Sequence, residues 1–309
     1  MTMEPFSHLM KEIKEGKFVF TGEVGPLKTT SLNGVLEAAR ILKGHVAAVN
    51  VTDNPTAFAY MNPLVPSYMI QREVGLEVVC QMTARDRNRL ALTSDLLAAA
   101  ALGIRNILVL SGDHVTLGDD PRAKTVYDLD STQLLQLVRT MVDRGLDLNG
   151  NRIVNPPRFH VGVVANPNAD PLEPEIMKVE RKANLGAEFI QTQAVYDIEL
   201  AKRFMTEVEH LGIPLLIGIT PFKTIAMMEW MTKHMPGIVV PEEIQARLRN
   251  AGEKRGEKGL CEENVDFFGQ LVRDIRKTTK AQGIHIMTIG FEQIAPKIIA
   301  QSTATKVHE

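Results

Sequence analysis

A chain of 309 residues with 44% hydrophobic and 23% charged residues and a net charge of −2 has the make-up of a well-cored globular protein. Near-neutral charge and 5% aromatic residues argue against a nucleic-acid surface, which needs basic clusters interleaved with stacking rings. No stretch reaches the roughly 18 uninterrupted apolar residues of a membrane span, and the two cysteines, Cys80 and Cys261, are too few for an iron–sulfur cluster or a structural zinc site.

Residues 1–16 read as an N-terminal helix, without the basic-then-apolar order of a secretory signal, so the expected compartment is the cytoplasm. Eight short apolar runs follow, at 18–20, 46–51, 77–82, 106–110, 159–164, 189–193, 214–219 and 284–287. They are rich in Val and Ile and mostly continuous, which is how strands buried on both faces read. Helical patterns lie between them, for example at 31–42, 88–102, 131–144, 175–185 and 200–211. Ser31 and Ser131 stand where N-caps belong, and Gly103, Gly186 and Gly212 where helices stop. The phrases LGIRNILVL, LGAEFIQTQ and LGIPLLIGI repeat one grammar of helix stop, short link and buried strand. The interval from roughly 235 to 282 reads as additional helix before the last strand, and 293–299 as a closing helix. No linker divides the chain, so the expectation is one α/β domain over 1–309, a (β/α)8 barrel. The alternative is a doubly wound open sheet, for which no GxGxxG turn speaks.

Barrel chemistry sits at the C-terminal ends of strands. The residues there are polar: Glu23, Thr52 with Asp53 and Asn54, Gln81 with Thr83, Ser111 with Gly112 and Asp113, Asn166, and Gln193. Glu23 stands among apolar and backbone groups, where desolvation favours the protonated form that a general acid needs. An ordinary solvated glutamate has the same spacing. Asp113 follows a glycine that lets backbone approach a ligand, although a plain Gly-Asp turn looks alike. Lys182, within KVERKANLG, can turn its ammonium toward a phosphate or lie on the surface. His114, His160 and His285 lack any HxH, HExxH or CxxC companion, so no metal is expected. Met227, Met228 and Met231 have helical spacing and are expected to pack in the core.

In chain order, FTGEVGP after the first run, NVTDNP after the second, LVLSGDH after the fourth, VANP after the fifth, RKANLGAEFIQTQ across the fifth helix and sixth run, and GITPF after the seventh resemble the methylenetetrahydrofolate reductase family. The resemblance covers nearly the whole chain. It implies a flavin-bearing barrel that reduces 5,10-methylenetetrahydrofolate to 5-methyltetrahydrofolate with noncovalent FAD, hydride passing from reduced flavin to the folate 5-iminium cation. By the same resemblance Glu23 is the general acid toward folate N5, and Asp113 is the carboxylate that stabilises the cation beside the flavin. Gln193 and Phe222 would contact the folate. Thr52, Gln81, Ser111, Gly112, Asp113, Tyr127, Ala165, Asn166 and Lys182 would form the cofactor set.

Three positions depart from the family pattern: Ser111 stands where some relatives have Arg, Asn166 where they have Tyr, and Asp170 where they have His. FMN therefore stays open beside FAD, and Lys182 is the main cation expected near the pyrophosphate. Electrons would come from NAD(P)H or from a partner subunit carrying metal clusters, in an oligomeric assembly. Two other barrel proteins fit the same residues, a pterin-dependent methyltransferase and a non-catalytic subunit of a larger complex. A yellow colour would set the first apart, and the joint presence of Glu23, Asp113 and Gln193 argues against the second.

Overall fold

The computed structural model describes residues 4–235 and 237–304. Eight parallel strands close into a barrel in strict sequence order. They are β1 (Val19–Val24), β2 (Ala48–Val51), β3 (Val78–Thr83), β4 (Asn106–Leu110), β5 (His160–Ala165), β6 (Phe189–Ala194), β7 (Leu215–Ile219) and β8 (Gly283–Ile286). The helices are α1 (His8–Lys14), α2 (Asn33–Leu42), α3 (Leu64–Met69), α4 (Arg89–Ala101), α5 (Ser131–Arg144), α6 (Glu173–Asn184), α7 (Ile198–Val208), α8 (Ile225–His234), α9 (Glu242–Thr278) and α10 (Ile294–Thr303). No helix among the described residues is long and apolar enough to cross a membrane.

Successive strand residues alternate between the helices and the lumen. Outward-facing Val49, Val51, Cys80, Ile107, Val109, Val161, Val163, Ile217 and Ile284 join the apolar faces of the helices in the larger core. Inward-facing Val19, Ala48, Val79, Leu108, Phe189 and Leu216 meet Leu9, Met10 and Ile13 of α1 in a second core that plugs the N-terminal end of the barrel. The Glu77 carboxylate fixes that plug, accepting from the His8 and Leu9 N–H groups at 2.6 and 2.9 Å. Phe6 adds an N–H bond to His160 Nε2 at 3.2 Å and a ring stack at 4.1 Å.

The plug depends on one missing side chain. A Cβ on Gly162 would lie 2.2 Å from the Phe189 ring. Gly162→Ala is expected to cost about 1–3 kcal/mol, the range for overpacking. The measurement is the urea midpoint, and Phe189→Leu in the same chain should restore most of the loss; an unchanged midpoint would show that the ring yields freely.

The apolar runs located all eight strands but, β4 apart, not both ends of each. β1 extends to Val24 because its pairing with β2 continues through Glu23↔Asn50 and Val24↔Val51, so Glu23 belongs to the strand rather than following it. Ser131 is the first helical residue of α5; the cap is Asp130, whose side chain accepts from Gln133 N–H while Gln133 closes a capping box. Ser31 lies one residue outside the α2 cap, Leu32, and its hydroxyl accepts from Asn33 N–H at 3.3 Å. The extra segment before β8 is essentially one long helix, α9, interrupted at Gly256, where φ is +62°. Residues 1–3 of the expected N-terminal helix lie outside the described residues, and α1 itself starts only at His8, capped by Ser7.

Candidate active site

Strand ends and loops surround a cleft of about 840 Å³ at the C-terminal mouth, within the roughly 300–1,000 Å³ of cofactor and ligand sites. Glu23, Thr52, Gln81, Ser111, Gly112, Asp113, Ala165, Asn166, Lys182 and Gln193 all line it. The plug at the other end is apolar, and polarity in the lumen begins above it.

Glu23 Oε2 accepts a hydrogen bond from Gln81 Nε2 at 3.3 Å and lies 3.6 Å from His285 Nε2. Its backbone carbonyl accepts from the Thr288 hydroxyl at 3.0 Å, which ties the end of β1 to the segment after β8. The side chain is only 14% exposed, so the carboxyl is withdrawn from bulk water and still reachable from the cleft.

Asp113 is held by a strained loop. Asn54, Thr56 and Ala57 after β2 all have left-handed backbone, with φ of 46°, 55° and 58°, and each such residue costs on the order of 1–3 kcal/mol. Asp113 Oδ2 accepts the Thr56 N–H at 2.9 Å, and Asn54 Oδ1 accepts the Tyr60 N–H at 2.9 Å. Arg85 binds the rest: Nη2 donates to Asn54 O at 3.1 Å and Nη1 to Asp113 O at 3.0 Å. Arg85 is 1% exposed and pairs with Asp86 at 2.7 Å. Burial pushes the Asp86 carboxyl up, but the Arg85 guanidinium outweighs it and holds it below the usual range. Gly118 completes the clamp, since a Cβ there would sit 1.9 Å from Ala57 O. One oxygen of Asp113 is thereby fixed by backbone.

Beside this clamp, buried Asp53 accepts from Thr83 N–H at 2.8 Å and from the Thr83 hydroxyl at 3.0 Å, and pairs with Arg87. Burial pushes its carboxyl up, opposed by Arg87 and by both Thr83 donors. Asp53 is therefore a strut under the loop.

The residues present fit an anionic cofactor. Thr52 Oγ1 is buried on the cleft wall with no hydrogen-bond partner among the described residues. Lys182, 6% exposed, donates from Nζ to Val164 O at 2.7 Å and forms no ion pair among the described residues. Burial lowers its pKa from the ordinary lysine value, with Glu175 acting against that shift. An ammonium kept from water without a carboxylate is satisfied by an anion such as a phosphate. If the anion is the phosphate of the flavin that the sequence resemblance implies, Lys182→Met is expected to weaken flavin retention by roughly 10- to 100-fold, the value of a charge-assisted hydrogen bond. The same change should raise the stability of the flavin-free protein, because an uncompensated buried charge is gone. Equilibrium dialysis and thermal melts check the two halves, and unchanged flavin content would show that Lys182 does not touch the cofactor.

Two expected residues are elsewhere. Phe222 is fully buried, stacked on Tyr196 at 5.5 Å, with its backbone N–H and C=O both bonded to Asn264 of α9 at 2.8 and 3.1 Å. The chain after β7 turns outward, and the ring packs under α9 instead of the cleft. Tyr127 also does not line the cleft; its hydroxyl donates to Gly112 O at 3.2 Å from outside. Ser111 lines the cleft but is partly occupied, accepting from Ser131 N–H at 3.3 Å.

Sequence reasoning missed Arg85 and Arg87, although ARDRN follows β3 directly and the strand-end rule covers it. It also missed a wall of the cleft made by α8. Met228 and Met231 are buried as expected, but Met227, Met231 and the half-exposed Trp230 line the cleft.

Fold and cleft together define a (β/α)8 barrel with a cofactor-sized site, on which a few polar groups converge, at the end where barrel enzymes work. The family profile described as methylenetetrahydrofolate reductase matches residues 8–303, and the chain belongs to this family. It is 24% identical over 76% of its length to methylenetetrahydrofolate reductase 2 of Schizosaccharomyces pombe, covering 37% of that protein. It is 23% identical over 71% of its length to a probable methylenetetrahydrofolate reductase (NADPH) of Caenorhabditis elegans, covering 31% of that one. The chain thus spans about a third of the length of these relatives. Among solved structures, tryptophan synthase from M. tuberculosis superposes with a TM-score of 0.52 at 10% identity, covering 96% of this chain and 98% of that one, a likeness of fold alone.

Proposed function

We propose that this chain reduces 5,10-methylenetetrahydrofolate to 5-methyltetrahydrofolate, with FAD held noncovalently in the cleft. The observation that carries the reading is the convergence of Glu23, Asp113 and Gln193 on one cleft in a member of this family. Thr52, Gly112, Ala165, Asn166 and Lys182 would hold the cofactor. When bound, the flavin supplies the hydride.

The protein's own groups do the rest. Glu23 gives its proton to folate N10 rather than N5, because N10 is the amine whose bond to the bridging carbon breaks as the five-membered ring opens to the 5-iminium cation. Asp113, oriented by Thr56 N–H, offsets the positive charge that develops. Gln193 orients the pterin by its amide. Met227, Trp230 and Met231 form an apolar wall that keeps water from the reacting carbon. NAD(P)H is the proposed electron donor, a partner subunit with metal clusters the alternative, and the working form an oligomer in the cytoplasm.

The test is an anaerobic absorbance spectrum of the purified protein, before and after NADH, then NADPH, then methylenetetrahydrofolate. A flavin spectrum, bleached by donor and restored by folate, is expected. A protein that takes up neither FAD nor FMN would overturn the reading.

A further inference from the structure

Beneath Glu23 the lumen holds four polar side chains from four strands that the proposed reaction does not use: Thr21, Asn50, Gln191 and His285, all 3% exposed or less. We propose that Gln191, backed by Asn50, is a positioning residue that fixes the Thr21 hydroxyl and through it the tautomer of His285, so that His285 presents an N–H to Glu23. This inference rests on the reading of Glu23 as the acid.

The assignment follows from counting donors. Asn50 Nδ2 donates to Gln191 Oε1 at 2.7 Å, and Gln191 Nε2 donates back to Asn50 Oδ1 at 3.1 Å. The second Gln191 N–H donates to Thr21 Oγ1 at 3.2 Å. An amide nitrogen carries no accepting lone pair, so the Thr21 O–H must point elsewhere. Among the described residues the acceptor within reach of that O–H is His285 Nδ1, 3.0 Å away, and in the proposed arrangement the hydrogen of this contact belongs to Thr21. An Nδ1 that accepts a hydrogen bond is bare, and a neutral imidazole then carries its hydrogen on Nε2. Nε2 lies 3.6 Å from Glu23 Oε2, a separation that a small turn of the carboxylate closes to a hydrogen bond.

Two consequences follow for the proton. Once Glu23 has given its proton to the substrate, the Nε2–H of His285 and the N–H of Gln81 both face the new carboxylate. The opposite tautomer would point a lone pair at Glu23, bind the acid's proton and withhold it from substrate. The network is also closed below, because amide groups do not relay protons and the Thr21 hydrogen is committed. His285 therefore keeps its own proton, and the one that recharges Glu23 arrives from water on the cleft side. One proton leaves Glu23 and one returns, with no net change in the lumen.

The experiment is ¹⁵N NMR of protein labelled in its 8 histidines, with the His285 signal assigned by its loss in His285→Gln. The parent should show the Nε2–H tautomer. Gln191→Glu, whose carboxylate accepts the Thr21 hydroxyl, should switch it to Nδ1–H, and Gln191→Met should leave a mixture. In single-turnover kinetics Gln191→Met should slow folate reduction about 10-fold, the value of one hydrogen bond to a charged group, without slowing flavin reduction by the donor. His285→Gln, whose amide places an N–H near the Nε2 position, should keep more activity than His285→Phe. An Nδ1–H tautomer in the parent, or one that neither Gln191 variant alters, would overturn the proposal, as would equal rates in the two His285 variants. The tautomer is read without turnover. A Glu23→Gln variant with normal folate reduction would sink the acid assignment by a separate route.

Discussion

Replacing Glu23 by Gln is expected to slow reduction of methylenetetrahydrofolate by roughly 100-fold or more, the range for loss of a general acid, while the bound flavin is reduced by its donor at the parental rate. The substitution is well suited to the site. The Glu23 oxygen that accepts from Gln81 Nε2 at 3.3 Å can be replaced by the amide oxygen, so the contact survives. The backbone tie to Thr288 at 3.0 Å does not involve the side chain at all. What disappears is the transferable proton, and with it the means of opening the folate ring. Stopped-flow measurement of the two half-reactions separates these effects. Equal losses in both would point to a damaged fold or a lost flavin and would remove Glu23 from the mechanism.

The barrel was legible because a parallel strand covered on both faces must be apolar at nearly every position, as in AVNV of β2 and LLIGI of β7. The ends were less so. In β1 the lumen-facing residues after Val19 are Thr21 and Glu23, whose polarity breaks the run while the pairing continues. The cleft residues Glu23, Asp113 and Gln193 were readable because strand ends in this fold have one destination. Other features depend on closure. Asn50 and Gln191 are 141 positions apart, and Thr21 and His285 are 264 apart, so no local pattern marks them as partners. Phe222 shows the converse limit, since an aromatic residue after a strand can turn toward the mouth or under a helix, and only the bonds to Asn264 decide. The methionines of α8 gave the right helix period but not which face meets the cleft.

Asp113→Asn should separate charge from shape. Asparagine retains an oxygen that can accept the Thr56 N–H, now made at 2.9 Å, and Arg85 grips the backbone carbonyl of residue 113 rather than its side chain. The strained loop therefore stays in place, and the variant differs from the parent by one negative charge at the cleft. Reduction places negative charge on a bound flavin, which a neighbouring carboxylate opposes, so the midpoint potential should rise in the variant. A flavin that is easier to reduce is a weaker hydride donor. The folate cation also loses its counter-charge, and one such electrostatic contact is worth roughly 3 kcal/mol of barrier, about 100-fold in rate. Folate reduction should slow by that order, while reduction of the flavin by its donor is maintained or faster. General damage to the site would slow both. Redox titration and anaerobic single turnover on the same preparation decide the matter: a potential that falls or does not move would remove Asp113 from the flavin's surroundings, and parental folate reduction would remove it from the cation's.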